Sequence, residues 1–358
     1  MSKSYYIIPI FVPHLGCPHN CVFCNQSIIA SKEEDVTADK ADKIIKEYLS
    51  TIVNKEATIE ISFFGGTFTA INIEKQKELL KVAKKYKEIG AVKYIRLSTR
   101  PDYINTEILE HLKSYSVDII ELGVQSLDYE VLKLSGRGHD KNDVTMASQL
   151  IKEYGFILGH QIMLGLPGDT PEKDIKTAEE SISMKPDLCR LYPTLVIKDT
   201  PMEMMYNRGI YKPYSLEEAV GITKHLYTMY CANNIPIIRL GLQPTESINV
   251  NGDVISGPFH PAFRELVEGS IINDMIFNYL KSKKGKYNIN VNSKDISKLY
   301  ADKKKYFYRT LENLNDIILQ VNIENDIKKG EIKIFNDCEC SYLSIYKYML
   351  TDPYRRKF

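Results

Sequence analysis

An α/β fold on a parallel sheet is predicted by two features of the 358-residue sequence. Apolar runs of strand length alternate with charged stretches of helical spacing, and the chemically unusual residues gather just after those runs. Parallel strands need a long connection, usually a helix, so the alternation implies βα units side by side in one sheet. In such sheets ligands bind at the carboxyl ends of the strands. The spacing is compatible with an open doubly wound sheet and with a full or partial barrel.

The first strand is "YYIIPIFV" (Tyr5 to Val12), and the loop "PHLGCPHNCVFCNQ" follows it. Thr37 opens the helix "TADKADKIIKEYLSTI", since a threonine ahead of an amphipathic run can cap the first free N–H groups. "TIEISFF" (Thr58 to Phe64) is the second strand, followed by "GGTF" and the helix "EKQKELLKVAKKYKEI". "VKYIRLS" (Val92 to Ser98) leads through "STRPD" into "TEILEHLKSY". "VDIIELGV" (Val117 to Val124) leads through "QS" and "GRGHD" into "DVTMASQLIKEYG". "FILGHQIML" (Phe156 to Leu164) runs into "GLPGDT", where Thr170-Pro171 starts "TPEKDIKTAEESISM". The sixth strand is "DLCRLYPTLVI" (Asp187 to Ile197), interrupted by Tyr192, Pro193 and Thr194.

A net charge of +1 gives no whole-molecule attraction to nucleic acid or anionic lipid, so such binding requires a local patch. No apolar run is long enough to span a bilayer, and the N-terminus lacks a small-residue cleavage site, so a cytoplasmic protein is expected. In a reducing compartment seven cysteines are not a disulfide framework; a tight thiol cluster there binds metal or does chemistry.

Cys17, Cys21 and Cys24 lie within eight residues. Three thiolates on a [4Fe–4S] cubane leave one iron open to chelate a small molecule. The rival is a zinc site closed by His14 or His19, but zinc ligands usually come as two separated pairs rather than one crowded C-x3-C-x2-C loop. The trio therefore favours the cluster.

With Phe23 before the last cysteine, this loop resembles that of the radical S-adenosylmethionine (SAM) enzymes. The resemblance implies a partial (β/α)6 TIM-type barrel, a [4Fe–4S] cluster on Cys17, Cys21 and Cys24, and SAM cleaved reductively to a 5'-deoxyadenosyl radical. It also implies an external one-electron donor such as flavodoxin or ferredoxin. Gly65, Gly66 and Thr67 match the second-strand SAM motif, Gln125 would hydrogen-bond SAM, and the planar fork of Arg137 would pair its carboxylate. Ser98 stands where similar proteins commonly carry a Glu. "GGTF", "TRPDY", "GVQS", "RGH", "YPTLVI" and "GPFHPAFRELVE" together resemble the radical SAM domain of the Elongator catalytic subunit and its short bacterial relatives, which points to tRNA modification. About 90 residues follow Glu268, and nothing in them resembles an acetyl-CoA phosphate loop. Acetyl-dependent uridine chemistry by this chain alone is therefore not expected.

The expected division is a barrel over residues 1–245 and a small α+β extension over 246–358 packed on it. From Lys281 to Thr310 the chain holds ten Lys or Arg against two Asp, interleaved with Tyr287, Tyr300, Tyr306, Phe307 and Tyr308. Lysines can neutralise phosphates and rings can stack on bases, which makes this the candidate tRNA contact; a solvated lysine-rich helix is the plainer alternative. "DIILQVN" and "EIKIFND" read as two strands joined by a turn at Lys329-Gly330. Cys338 and Cys340 do not complete a second ligand set, and His160 suits a core role as well as a substrate contact. Tyr192, at a strand end, is the candidate residue for touching substrate or relaying hydrogen. Two rival readings are a radical SAM enzyme acting on a small molecule such as a tetrapyrrole, and a non-catalytic metal-bearing RNA-binding module.

Overall fold

The computed structural model describes residues 4–12, 17, 19–25, 36–242, 248–249, 252–351 and 353–354. His14 and the expected boundary at 245/246 lie outside them. Strands β1 (Tyr5–Val12), β2 (Thr58–Gly65), β3 (Tyr94–Thr99), β4 (Ile119–Gln125), β5 (Ile157–Leu164) and β6 (Leu188–Pro193) pair in sequence order, all parallel. Such an order curls a sheet toward a half-barrel without a strand reversal. The helices between them are α1 (Ala38–Thr51), α2 (Ile73–Glu88), α3 (Thr106–Ser114), α4 (Tyr129–Leu134), α5 (Lys141–Glu153) and α6 (Pro171–Ser183). Thr37 and Thr170 cap α1 and α6 with their side chains, as their positions predict.

The sixth apolar run does not continue to Ile197. Pro193 has no N–H for a ladder, and Thr194 donates its own to Leu164 O at 2.9 Å, so the strand ends there. Val196–Ile197 forms a two-residue strand, β7, paired instead with β9 (Val254–Ser256). Helices α7 (Pro201–Asn207) and α8 (Leu216–Ala232) then lead to a seventh parallel strand, β8 (Ile237–Leu240), beside β6. Four residues give too short a pattern to stand out as a strand.

Period-two alternation sorts the side chains of this sheet onto two faces. Ile61, Phe63, Ile95, Leu97, Ile120, Leu122, Leu158, Ile162 and Leu191 are buried in the main apolar core. The opposite parity carries Glu60, Arg96, Ser98, Glu121, Gln161, Arg190 and Tyr192, so one face is polar. His160 is on the apolar side: fully buried, it sits 3.0 Å from Ser148 Oγ and 2.8 Å from Ser181 Oγ, and burial pushes its pKa down to about 3. It is a hydrogen-bonded core histidine.

Helix α9 (Phe263–Leu280) precedes a second sheet of order β11-β10-β12-β13, with β10 (Gly285–Val291), β11 (Ile317–Ile323), β12 (Glu331–Phe335) and β13 (Cys340–Ser344). The predicted hairpin across Lys329-Gly330 is not formed. β10 lies between β11 and β12, parallel to the first and antiparallel to the second. The basic segment supplies β10 together with α10 (Ile296–Leu299) and α11 (Lys305–Glu312), the crossover that a parallel pair requires. Its alternation of Tyr287, Ile289 and Val291 fills a second core, to which Phe307 also belongs. Two of its five aromatic residues are thus inside the fold rather than available to a base, whereas Tyr308 is exposed. Helix α12 (Ile345–Leu350) follows β13. Among the described residues no helix is long and apolar enough to cross a membrane.

Candidate functional site

The cysteine loop is stitched down from several sides. Val22 N–H donates to Ser135 O at 3.0 Å, Met202 N–H donates to Val22 O at 2.9 Å, and Asn25 Nδ2 donates to Lys198 O at 2.7 Å. Phe23 packs in a small apolar cluster around Val131, Leu166 and Met202. Cys21 is buried while Cys17 and Cys24 are half-buried. Cys17 Sγ lies 3.5 Å from Thr67 Oγ1, which brings the second-strand motif to the first. Among the described residues no three His, Cys, Asp or Glu side chains are gathered tightly enough for a single metal ion.

Glycines set how closely these pieces approach. Gly65 has φ +114°, and a Cβ there would stand 2.3 Å from Val12 O, so the residue must be glycine for β1 and β2 to meet. Gly138 has φ +74°, and a Cβ would fall within 2.5 Å of three His19 ring atoms. At Gly136 a Cβ would meet Asn20 O at 3.0 Å. The glycines flanking Arg137 therefore seat the cysteine loop, and the arginine between them arrives beside a thiol.

Arg137 is 6% exposed; its Nη1 donates to Cys21 Sγ at 3.4 Å and its Nη2 to Gly123 O at 2.5 Å. Its Nε is buried without an acceptor, and among the described residues no carboxylate pairs with it. Arg100, 3% exposed, is held by both oxygens of Asp102 at 2.9 Å and donates to Arg137 O at 2.5 Å. Burial, then the charges of Arg137 and Arg100, push His139 down to about 2, so it is neutral and donates Nε2–H to Val124 O at 3.2 Å. Gln125 has φ +65° and a buried Oε1 with no partner. Left-handed backbone at a residue other than glycine costs about 1–3 kcal/mol and is typical of binding sites. A buried cation lacking an anion and a buried amide lacking a donor are costly as they stand. Thiolates and an amino-acid-like ligand would satisfy both.

Glu60, Arg96, Glu121 and Arg190 were not singled out by sequence. Their signal is a charge in the middle of each of four apolar strands. Arg96 bridges Glu60 (2.7 Å) and Glu121 (2.5 Å), and Arg190 Nε meets Glu121 at 2.9 Å. Gly159 leaves room for this: a Cβ there would be 2.7 Å from Glu121 Cγ. Arg190 Nη1 donates to the half-buried Tyr192 hydroxyl at 3.3 Å, which ties Tyr192 to the network rather than to the cysteines. Ser98 lies opposite Glu121 in the β3–β4 register, and Gln161 Nε2 donates to both, at 3.3 and 3.1 Å. A carboxylate is therefore present beside Ser98, supplied by the neighbouring strand.

The loop "GLPGDT" holds two carboxyl groups, Asp169 and, four residues into α6, Asp174. Tyr214 donates to Asp174 Oδ2 at 2.9 Å. Burial pushes Asp169 up to about 6, and burial together with the Asp169 charge pushes Asp174 well up. The folded chain then binds protons that the unfolded chain releases, so its stability falls as pH rises from about 4, the unfolded value, through about 6. Unfolding in urea should show a loss on the order of 3 kcal/mol between pH 4 and pH 8 from Asp169, and Asp169→Asn should reduce the slope to what the burial of Asp174 contributes. A slope unaltered by the substitution would show Asp169 ionising normally.

Two family models match the chain: the Radical SAM superfamily over residues 11–180 and the Radical SAM C-terminal domain over residues 186–273. The tRNA uridine(34) acetyltransferase of Methanocaldococcus jannaschii is 33% identical over 258 residues, 61% of this chain and 48% of the relative. Elongator complex protein 3 of Homo sapiens is 29% identical over 203 residues, 51% of this chain and 37% of the relative. The solved structure of archaeal Elp3 from Methanocaldococcus infernus shares the fold, with TM-score 0.61 and 24% identity over 76% of this chain and 64% of that one. The chain spans about half the length of such curated relatives.

Proposed function

Because this chain belongs to the radical SAM superfamily, we propose that it cleaves SAM reductively and uses the resulting radical to modify a position in RNA, with tRNA as the substrate class. The observation that carries the SAM site is the buried Arg137 guanidinium, without a carboxylate partner among the described residues, against Cys21 and beside the orphaned Gln125 amide. Cys17, Cys21 and Cys24 would hold a [4Fe–4S] cluster. SAM would take Gln125 and the unused Nε of Arg137, with Gly65, Gly66, Thr67 and Ser98 along its other side. Bound together, cluster and SAM supply a 5'-deoxyadenosyl radical after one electron from a flavodoxin- or ferredoxin-type donor. The chain's own part is to hold these groups in a buried, water-poor pocket and to keep Tyr192 and Gln161 fixed on the polar face of the sheet.

The RNA substrate rests on the tRNA-modifying relatives and on the exposed lysines of the basic segment. Lys303, Lys304 and Lys305 are exposed at the start of α11, and Lys305 lies 3.2 Å from Glu217. Replacing all three with Glu should weaken tRNA binding at least tenfold in low salt and flatten its dependence on salt, measured by filter binding or anisotropy. Unchanged tRNA affinity, or none in the parent protein, favours a small-molecule substrate.

A further inference from the structure

We infer that Arg137 acts on the cluster itself, as a positioning residue that raises its reduction potential through the sulfur of Cys21. The inference rests on the assignment of Cys21 as a cluster ligand, where the thiol sulfur seen here stands for a thiolate. Arg137 is fixed at four points: its backbone N–H goes to Leu132 O at 3.0 Å, its backbone O receives Arg100 Nη2, Nη2 is fixed on Gly123 O, and Nη1 is aimed at Cys21 Sγ. Nε has no partner among the described residues, and it and the second N–H of each Nη remain for SAM.

The aim of Nη1 is built in. Gly123 supplies the carbonyl that fixes Nη2, and its lack of a side chain makes the seat, since a Cβ there would stand 3.3 Å from Nη2 and 3.1 Å from Gln125 Nε2. Gly136 and Gly138 hold the cysteine loop on either side. A cluster that accepts one electron gains negative charge with no bond made or broken. A charge-assisted N–H···S bond stabilises the reduced form more than the oxidised one. The same holds for a positive charge in a buried pocket, and among the described residues no carboxylate pairs with it.

The test is an anaerobic redox titration of the reconstituted protein without SAM, with mediators and dithionite, following the EPR signal of the reduced cluster. The midpoint should fall in Arg137→Gln, fall less in Arg137→Lys, which keeps the charge, and fall in Gly123→Ala, which keeps the arginine but fills its seat. Should Arg137→Gln fail to hold iron, the other two variants decide. Equal midpoints in proteins with full iron and sulfide overturn the inference. So does a loss of SAM affinity, by equilibrium dialysis, with no change of potential, because Arg137 then serves SAM alone. A parent protein that binds no iron and sulfide overturns the cluster assignment instead.

Discussion

Alanine at Cys17, Cys21 or Cys24 is expected to leave anaerobically prepared protein colourless, short of iron and sulfide, and unable to form 5'-deoxyadenosine from SAM under strong reductant. In the proposed site each thiolate would hold one iron of a cubane, so no remaining side chain would substitute for a missing one. The effect should be all but complete for each cysteine, because the open fourth iron is what SAM requires and a two-legged cluster loses its defined vacancy. Cys338→Ala and Cys340→Ala provide the comparison. Both residues are exposed and lie on or just before β13 in the second sheet, so iron content should not change. Iron, sulfide and the visible absorption of these five variants, set beside the parent protein, decide the matter. A full complement in any of the first three would remove that residue from the ligand set, and a zinc protein without colour would end the radical reading.

The other large effect expected is on stability. Glu121 is fully buried between Arg96 and Arg190, with Gln161 on its second oxygen. Glu121→Ala leaves Arg96 with Glu60 alone and takes from Arg190 the carboxylate it meets at 2.9 Å. Breaking a buried ion pair from one side typically costs about 3–5 kcal/mol, because a charge stays behind without compensation. Urea unfolding should register that loss. Glu121→Gln should cost less, since it keeps the volume and one acceptor oxygen. A loss below about 1 kcal/mol for the alanine variant would mean that water reaches the arginines and that the network is not closed.

The main sheet was legible because its strands are long, apolar and separated by strongly amphipathic helices; Thr37 and Thr170 announced their helices by chemistry alone. The cysteine loop and the "GRG" segment were legible as motifs. What pattern did not disclose is how they meet. Gly136 and Gly138 are glycines because Asn20 and His19 lie against them, a relation across more than a hundred residues. β8 was hidden by its length and β10 by its polar positions: Lys284, Lys286, Asn288 and Asn290 of "KGKYNINV" mask the inward Tyr287, Ile289 and Val291. The hairpin expected from the Lys329-Gly330 turn failed because local turn chemistry says nothing about a third strand inserting between two neighbours. Glu121 escaped notice because one charge in an apolar strand looks like an exposed edge until its partners on the adjacent strands are known.

Helix α9 gives its first half, Phe263, Leu266, Val267 and Ile271, to the main core and its second half, Ile272, Met275, Ile276 and Leu280, to the core beneath the second sheet. One rod thus serves as the floor of two compartments. Loss of either compartment strips burial from the same eighteen residues on which the other depends, so the two halves of the molecule are coupled in cooperativity as well as in sequence. A chain ended before Gly285 would present the apolar far end of that rod to water and invite association.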